Sequence, residues 1–146
     1  MKHFQILIIG GGNAGISTAS QLLRKDSSLQ IAIADPAQKH YYQPAWTLVG
    51  GGVFDVQDTV RPQASVMPKN ATWLRSRALA FAPDQNQVTL EEGVVSYDYL
   101  IVSPGIQINW NGIPGLAETI NKNNVCSNYS FETAPYTYEC LRNFKG

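Results

Sequence analysis

Three glycines at a fixed spacing, with one acid further on, are the residues of this chain whose types and positions point most directly to chemistry. Gly10, Gly12 and Gly15 stand in Gly10-Gly11-Gly12-Asn13-Ala14-Gly15, directly after the apolar run Ile6-Leu7-Ile8-Ile9. A run of strand length that stops at such a cluster and opens into a helical pattern reads as strand, phosphate-binding turn and helix. The first glycine then makes the tight turn, the second lets backbone approach a pyrophosphate, and the third packs helix on strand. Backbone N–H groups at the helix start, around Asn13 and Ala14, face the anion with the help of the helix dipole.

Glycine clusters also make ordinary turns, so the context decides. Gln30-Ile31-Ala32-Ile33-Ala34-Asp35 reads as a second strand, and it ends in an acid about 20 residues beyond the third glycine, where a carboxylate meets ribose hydroxyls. The alternative is a βαβ unit with an incidental acid. The expectation is an adenine dinucleotide, and Asp35 with no arginine close behind it disfavours a ribose 2′-phosphate.

The elements that must position these residues follow the same pattern. Ile16, Ala19, Leu22 and Leu23 recur at helical spacing, with Arg24 and Lys25 at the end that suits cations, and the helix stops near Asp26-Ser27-Ser28. Next comes an aromatic stretch, His40-Tyr41-Tyr42-Gln43-Pro44-Ala45-Trp46, followed by Thr47-Leu48-Val49 and three glycines. It reads either as a loop covering a planar ligand or as rings packed into the core. His40 alone reads as a loop histidine and not as a catalyst. Trp73 to Phe81, Gln87 to Leu90, Val94 to Tyr97 and Tyr99 to Val102 have strand character, with turns between them, and read as a β-meander inserted into an α/β fold. The last strand ends at Ser103-Pro104-Gly105, a second turn aimed at the same end of the sheet as the first. From Ile106 onward a surface connection is expected, then a helix over Phe131 to Phe144 with Gly146 at its end.

Composition narrows the class of function. With 146 residues the chain is long enough for one domain with a real core, and its 11 basic and 11 acidic residues cancel. Charges spread evenly along the sequence offer no concentrated basic field, so neither nucleic acid nor an anionic membrane surface is expected as a partner. No apolar run approaches the ~18–20 residues of a membrane span. A first strand beginning by Phe4 leaves no space ahead of it for a leader peptide, which points to a reducing, cytoplasmic compartment. Cys126 and Cys140 are then expected as free thiols.

These motifs together resemble the sulfide:quinone oxidoreductases of the flavoprotein disulfide-reductase superfamily, especially the branch that includes the mitochondrial enzyme. The resemblance rests on the glycine turn, Asp35-Pro36, the run His40-Tyr41-Tyr42-Gln43-Pro44-Ala45-Trp46-Thr47-Leu48-Val49-Gly50 and the segment Pro62 to Pro68. It continues through Tyr99 to Val102 with Gly105-Ile106-Gln107 and through Ser127-Asn128-Tyr129-Ser130. The glycine motif is common to many families, whereas the Tyr-Gln-Pro-x-Trp-Thr-Leu-Val-Gly run is specific. Asp35 stands where members carry glutamate, and Pro104 where a small residue or leucine is usual. Reductases of the glutathione type are excluded, because they carry two cysteines soon after the second strand, where this chain has tyrosine and tryptophan.

The resemblance implies a Rossmann-like FAD-binding fold with a parallel sheet and an inserted meander. FAD would lie on Gly10, Gly12, Asn13, Ala14, Gly15 and Gly105, with Asp35 on the adenosine ribose, Gln43 towards the flavin and the backbone of Ala78 near the adenine. Residues 1–146 would be the N-terminal portion of a discontinuous FAD-binding domain, and full members are much longer. They add a second nucleotide-fold domain, a redox cysteine pair onto which Cys126 and Cys140 do not map, and a C-terminal region that meets quinone and membrane. Sulfide and quinone would be the partners of that longer protein, peripheral at the membrane. This chain would hold no catalytic residue of its own and would leave Tyr99 to Val102 as an apolar edge prone to self-association. Alternatives are another quinone-linked flavoprotein such as a type II NADH dehydrogenase, or a truncated nucleotide-binding module without turnover.

Overall fold

The structure, a computed structural model, describes residues 1–145. They form two compact units, the first from Met1–His40 and Pro62–Gly105, the second from Tyr41–Arg61 and the chain from Ile106 onward.

In the first unit, strand β1 (Lys2–Ile9) leads into helix α1 (Asn13–Lys25) and returns through β2 (Ile31–Ala34). β1 lies parallel to β2 on one side and to β8 (Gly93–Val102) on the other. A strand buried on both faces needs a continuous apolar run, and Ile6 to Ile9 supply one. Leu7 and Ile9 face one core with Ala32, Ala34 and Leu74, while Ile6 and Ile8 face the other with Ile31, Ile33 and Ala19 of α1. The chain passes through two short strands that pair with each other, β3 (Lys39–Tyr41) and β4 (Val60–Pro62), on either side of the short helix α2 (Trp46–Gly50). The helical turn α3 (Gln63–Val66) and strand β5 (Thr72–Leu74) follow.

β6 (Ala78–Ala82), β7 (Gln87–Leu90) and the first half of β8 form an antiparallel meander, giving the six-stranded order β5-β2-β1-β8-β7-β6. Trp73 to Phe81, read from sequence as one strand, is two strands at opposite edges of the sheet, because Arg75-Ser76-Arg77 turn a corner between them. Four Cα steps reach at most ~14 Å, whereas six flat strands span ~24 Å. The sheet therefore curls over, and the meander residues Val88, Leu90, Val95 and Tyr97 close on the core of Leu7 and Ile9. Conversely, Val94–Tyr97 and Tyr99–Val102 are one strand: Asp98 sits at the surface beside His3, Nε2 to Oδ1 3.3 Å, and does not interrupt the ladder.

The second unit is built around Trp46, Val49 and Ala134, with Tyr41, Val56 and Phe131 packed against them. The Tyr41 ring meets Phe131 at 5.0 Å between centroids, and the indole N–H of Trp46 donates to Thr59 Oγ1 at 3.2 Å. Of the two readings of the aromatic stretch, core packing holds for Tyr41 and Trp46, whereas Tyr42 is exposed. Past Ile106 a short helix α4 (Leu116–Thr119) precedes α5 (Ala134–Asn143), which begins three residues later than Phe131; Gly146 lies outside the described residues. Among the described residues no helix is long and apolar enough to cross a membrane.

Candidate functional site

The glycine turn joins β1 to α1, and each of its glycines meets a different physical demand. Gly10 has φ +104°, and a Cβ there would strike the Ser103 carbonyl. Gly15 lies where the first turn of α1 crosses the end of β1, so a Cβ would strike the Gly10 carbonyl and crowd Ile8. Above Gly12 there is open space for a Cβ, and Gly12, Asn13 and Ala14 are exposed.

Gly12 is the N-cap of α1, and no side chain caps the helix. The first intrahelical bond runs from Ile16 N–H to the Gly12 carbonyl at 3.1 Å. The N–H groups ahead of it have no intrahelical acceptor. No acid occupies the first turn, so the positive end of the helix dipole is uncompensated. An exposed, uncapped helix start over an open glycine is a cradle for an anion. The donor set thus fits a pyrophosphate.

Asp35 follows β2 directly and is half-buried beside the turn. One carboxylate oxygen accepts from Gly11 N–H and the other from Ala37 N–H at 2.7 Å. Each oxygen keeps a second lone pair, so the carboxylate both braces the turn and has capacity for a hydroxyl donor. Its own backbone is fixed by Asp35 N–H to the Leu74 carbonyl at 3.0 Å and by the Trp73 indole N–H to the Asp35 carbonyl at 2.8 Å.

Sequence reasoning missed the residue that holds the middle of the turn. Gln63, on α3, is 1% exposed, and its Nε2 donates to the Gly11 carbonyl at 2.7 Å. His40 Nδ1 lies 3.3 Å from the same oxygen. A Cβ on Gly11 would strike Gln63 Nε2, so the glycine left without a role in the motif is tightly enclosed as well. The sequence signal was faint: a glutamine after a proline in the segment Pro62 to Pro68.

Ser103-Pro104-Gly105 does lie beside the first turn. Ser103 N–H donates to the Ile9 carbonyl at 2.8 Å, and Gly105 is exposed with φ +80°. Ala78 starts β6 next to a register irregularity, and the curl of the sheet brings it against the core that contains Leu74. The first unit therefore gathers Gly10, Gly12, Asn13, Ala14, Gly15, Asp35 and Gly105 at the carboxyl ends of β1, β2 and β8.

Gln43 belongs to the second unit. It is exposed and lines a cleft of about 480 Å³ together with Thr47, Asn128, Tyr129 and Thr137. Among the described residues, Asn128 Oδ1 and Thr137 Oγ1 find no hydrogen-bond partner there, though both are buried. Among the described residues no three His, Cys, Asp or Glu side chains gather as for a metal ion, and both cysteines are free thiols.

A family model described as pyridine nucleotide-disulphide oxidoreductase matches residues 4–135. The mitochondrial sulfide:quinone oxidoreductase of Dictyostelium discoideum is 43% identical over 143 residues, covering 97% of this chain and 32% of the relative. That of Mus musculus is 38% identical over 145 residues, covering 99% and 32%. Among solved structures, the sulfide:quinone oxidoreductase of Aquifex aeolicus matches with a TM-score of 0.73 at 29% identity, over 97% of this chain and 32% of that one. The chain thus spans 32% of the length of each of these relatives.

Proposed function

Because the chain belongs to the pyridine nucleotide-disulphide oxidoreductase family, we propose that it forms the N-terminal portion of a discontinuous FAD-binding domain in a sulfide:quinone oxidoreductase. Similarity to those enzymes along nearly its whole length carries the reading. The uncapped start of α1 over the open Gly12 supports the cofactor part of it.

In this proposal Gly12, Asn13, Ala14 and Gly15 hold the pyrophosphate through backbone N–H groups, while Gly10 lets the chain turn tightly enough to present them. Asp35 accepts from the adenosine ribose, the backbone at Ala78 borders the adenine, and Gly105 borders the cofactor from the second turn. Gln43 supplies a neutral amide towards the flavin. FAD, when bound, relays the two electrons that sulfide gives up to a quinone, which takes them with two protons. This chain's own residues bind and orient. The thiols that react with sulfide lie in the longer protein, as does the surface that meets quinone at the membrane.

The test uses the full-length protein. It should be purified yellow, lose its flavin on acid treatment, and reduce a short-chain quinone when given sulfide. Quinone reduction driven by NADH and not by sulfide would replace this reading with that of a type II NADH dehydrogenase. A colourless protein that binds no FAD would remove the cofactor assignment.

A further inference from the structure

Cys126 and Cys140 are separated by 13 residues in sequence, and both belong to the second unit. Cys140 sits on α5, one helical turn after Tyr136 and on the same face. The Tyr136 hydroxyl accepts from Asn124 N–H at 3.3 Å, which ties the segment just ahead of Cys126 to that face. The segment itself is a tight turn: Asn121 N–H donates to the Val125 carbonyl at 2.9 Å, Val125 N–H to the Lys122 carbonyl at 2.8 Å, and Asn121, Asn123 and Asn124 all have positive φ. Asparagine tolerates that left-handed conformation better than most residues. The turn delivers Cys126 to the wall of the cleft shared with Thr137, also on α5. Burial pushes the Cys140 thiol up, and the neighbouring Cys126 adds to the shift. Cys126 is exposed and Cys140 half-buried.

We propose that Cys126 and Cys140 form a dithiol site that peroxide converts into an intramolecular disulfide, fastening the 121–125 turn to α5. The exposed Cys126 reacts first: its thiolate attacks one oxygen of hydrogen peroxide, the O–O bond breaks, and Cys126 becomes a sulfenic acid while hydroxide leaves and takes up a proton as water. The Cys140 sulfur then attacks the Cys126 sulfur, the S–O bond breaks, and the hydroxyl leaves as water with the proton of the Cys140 thiol. Two thiols and one peroxide thus give one disulfide and two waters, with sulfur oxidised and oxygen reduced. Exposure makes Cys126 the reachable partner, and the thiolate is the reacting form. Both steps proceed through a thiolate, so conversion quickens as pH rises.

Trypsin supplies a direct readout, since cleavage after Lys122 and Arg142 leaves both cysteines in one peptide, residues 123–142. The full-length folded protein is treated with hydrogen peroxide, quenched with iodoacetamide and digested. The expected result is that this peptide carries no alkyl group and is lighter than the dithiol by two hydrogens, with faster conversion at higher pH. In Cys140→Ser the Cys126 sulfenic acid has no resolving thiol, so it should persist and be captured by dimedone. A peptide still alkylated at both cysteines after peroxide would overturn the proposal. So would cross-linking of this peptide to another cysteine, or closure no faster in the folded protein than in urea.

Discussion

Gln63 offers the sharpest test of how the turn is held. Its side chain is 1% exposed and donates to the Gly11 carbonyl at 2.7 Å, between the two glycines assigned to the phosphate turn. Replacing it by leucine keeps the volume roughly constant and removes the donor, leaving that carbonyl only the His40 contact at 3.3 Å. An unsatisfied buried acceptor costs ~1–3 kcal/mol. The turn can avoid that cost by relaxing until the carbonyl meets water, and must then be reordered whenever a pyrophosphate binds. If about 2 kcal/mol of the cost appears in binding, the FAD dissociation constant of Gln63→Leu should rise ~30-fold. The assay is titration of flavin-stripped full-length protein with FAD, read by quenching of flavin fluorescence. Gln63→Glu adds a signed control. Burial raises the pKa of the introduced carboxyl above its unfolded value, so its protonated form, which can donate to Gly11, accumulates as pH falls. The contribution is present at low pH and lost as pH rises through the raised pKa. FAD affinity of Gln63→Glu should therefore improve below neutrality relative to Gln63→Leu. Affinity within twofold of the wild type in both variants would show that Gln63 does not hold the turn.

Asp35→Ala removes the acceptor of Gly11 N–H and Ala37 N–H as well as the proposed ribose partner. Flavin content after gel filtration should fall, by ~10-fold or more in affinity, and unchanged content would remove the ribose role. Gly15→Ala forces a Cβ onto the Gly10 carbonyl, with backbone on both sides and no flexible chain end to yield. Overpacking of ~1–3 kcal/mol should lower the urea midpoint, and an unshifted midpoint would contradict the contact. Residues 98–102 of β8 pair with β1 on one side and, among the described residues, have no sheet neighbour on the other, and Tyr99 and Val102 are 68% and 54% exposed. Such an edge invites pairing with a second copy. A chain of residues 1–146 alone should sediment as an oligomer, and combined Tyr99→Lys and Val102→Lys substitutions should shift it towards monomer; a wild-type monomer would refute the edge argument.

What was legible in the sequence, and what was not, divides along one physical line. Gly10, Gly15 and the apolar run before them announce themselves because their constraints are local: a positive φ, or a helix crossing its own preceding strand, permits glycine and little else. The acid after the second strand is legible because strand and helix lengths carry Asp35 to the turn. Where the decisive contact is remote, composition is silent. Tyr41 and Trp46 could serve a ligand or a core equally well, and the core they join includes Phe131 and Ala134, far along the chain. The corner at Arg75 to Arg77 looked like strand because the curl that requires it belongs to the whole sheet. Gln63 is the extreme case. A glutamine in a short helical turn ordinarily faces water, yet 52 positions separate this one from the carbonyl it serves, and it is that carbonyl which makes its burial favourable. A glycine motif thus identifies the residues that allow a phosphate turn to exist. The residue that holds the turn in shape can come from anywhere in the chain, so long as the fold brings a donor to an oxygen the motif leaves unpaired.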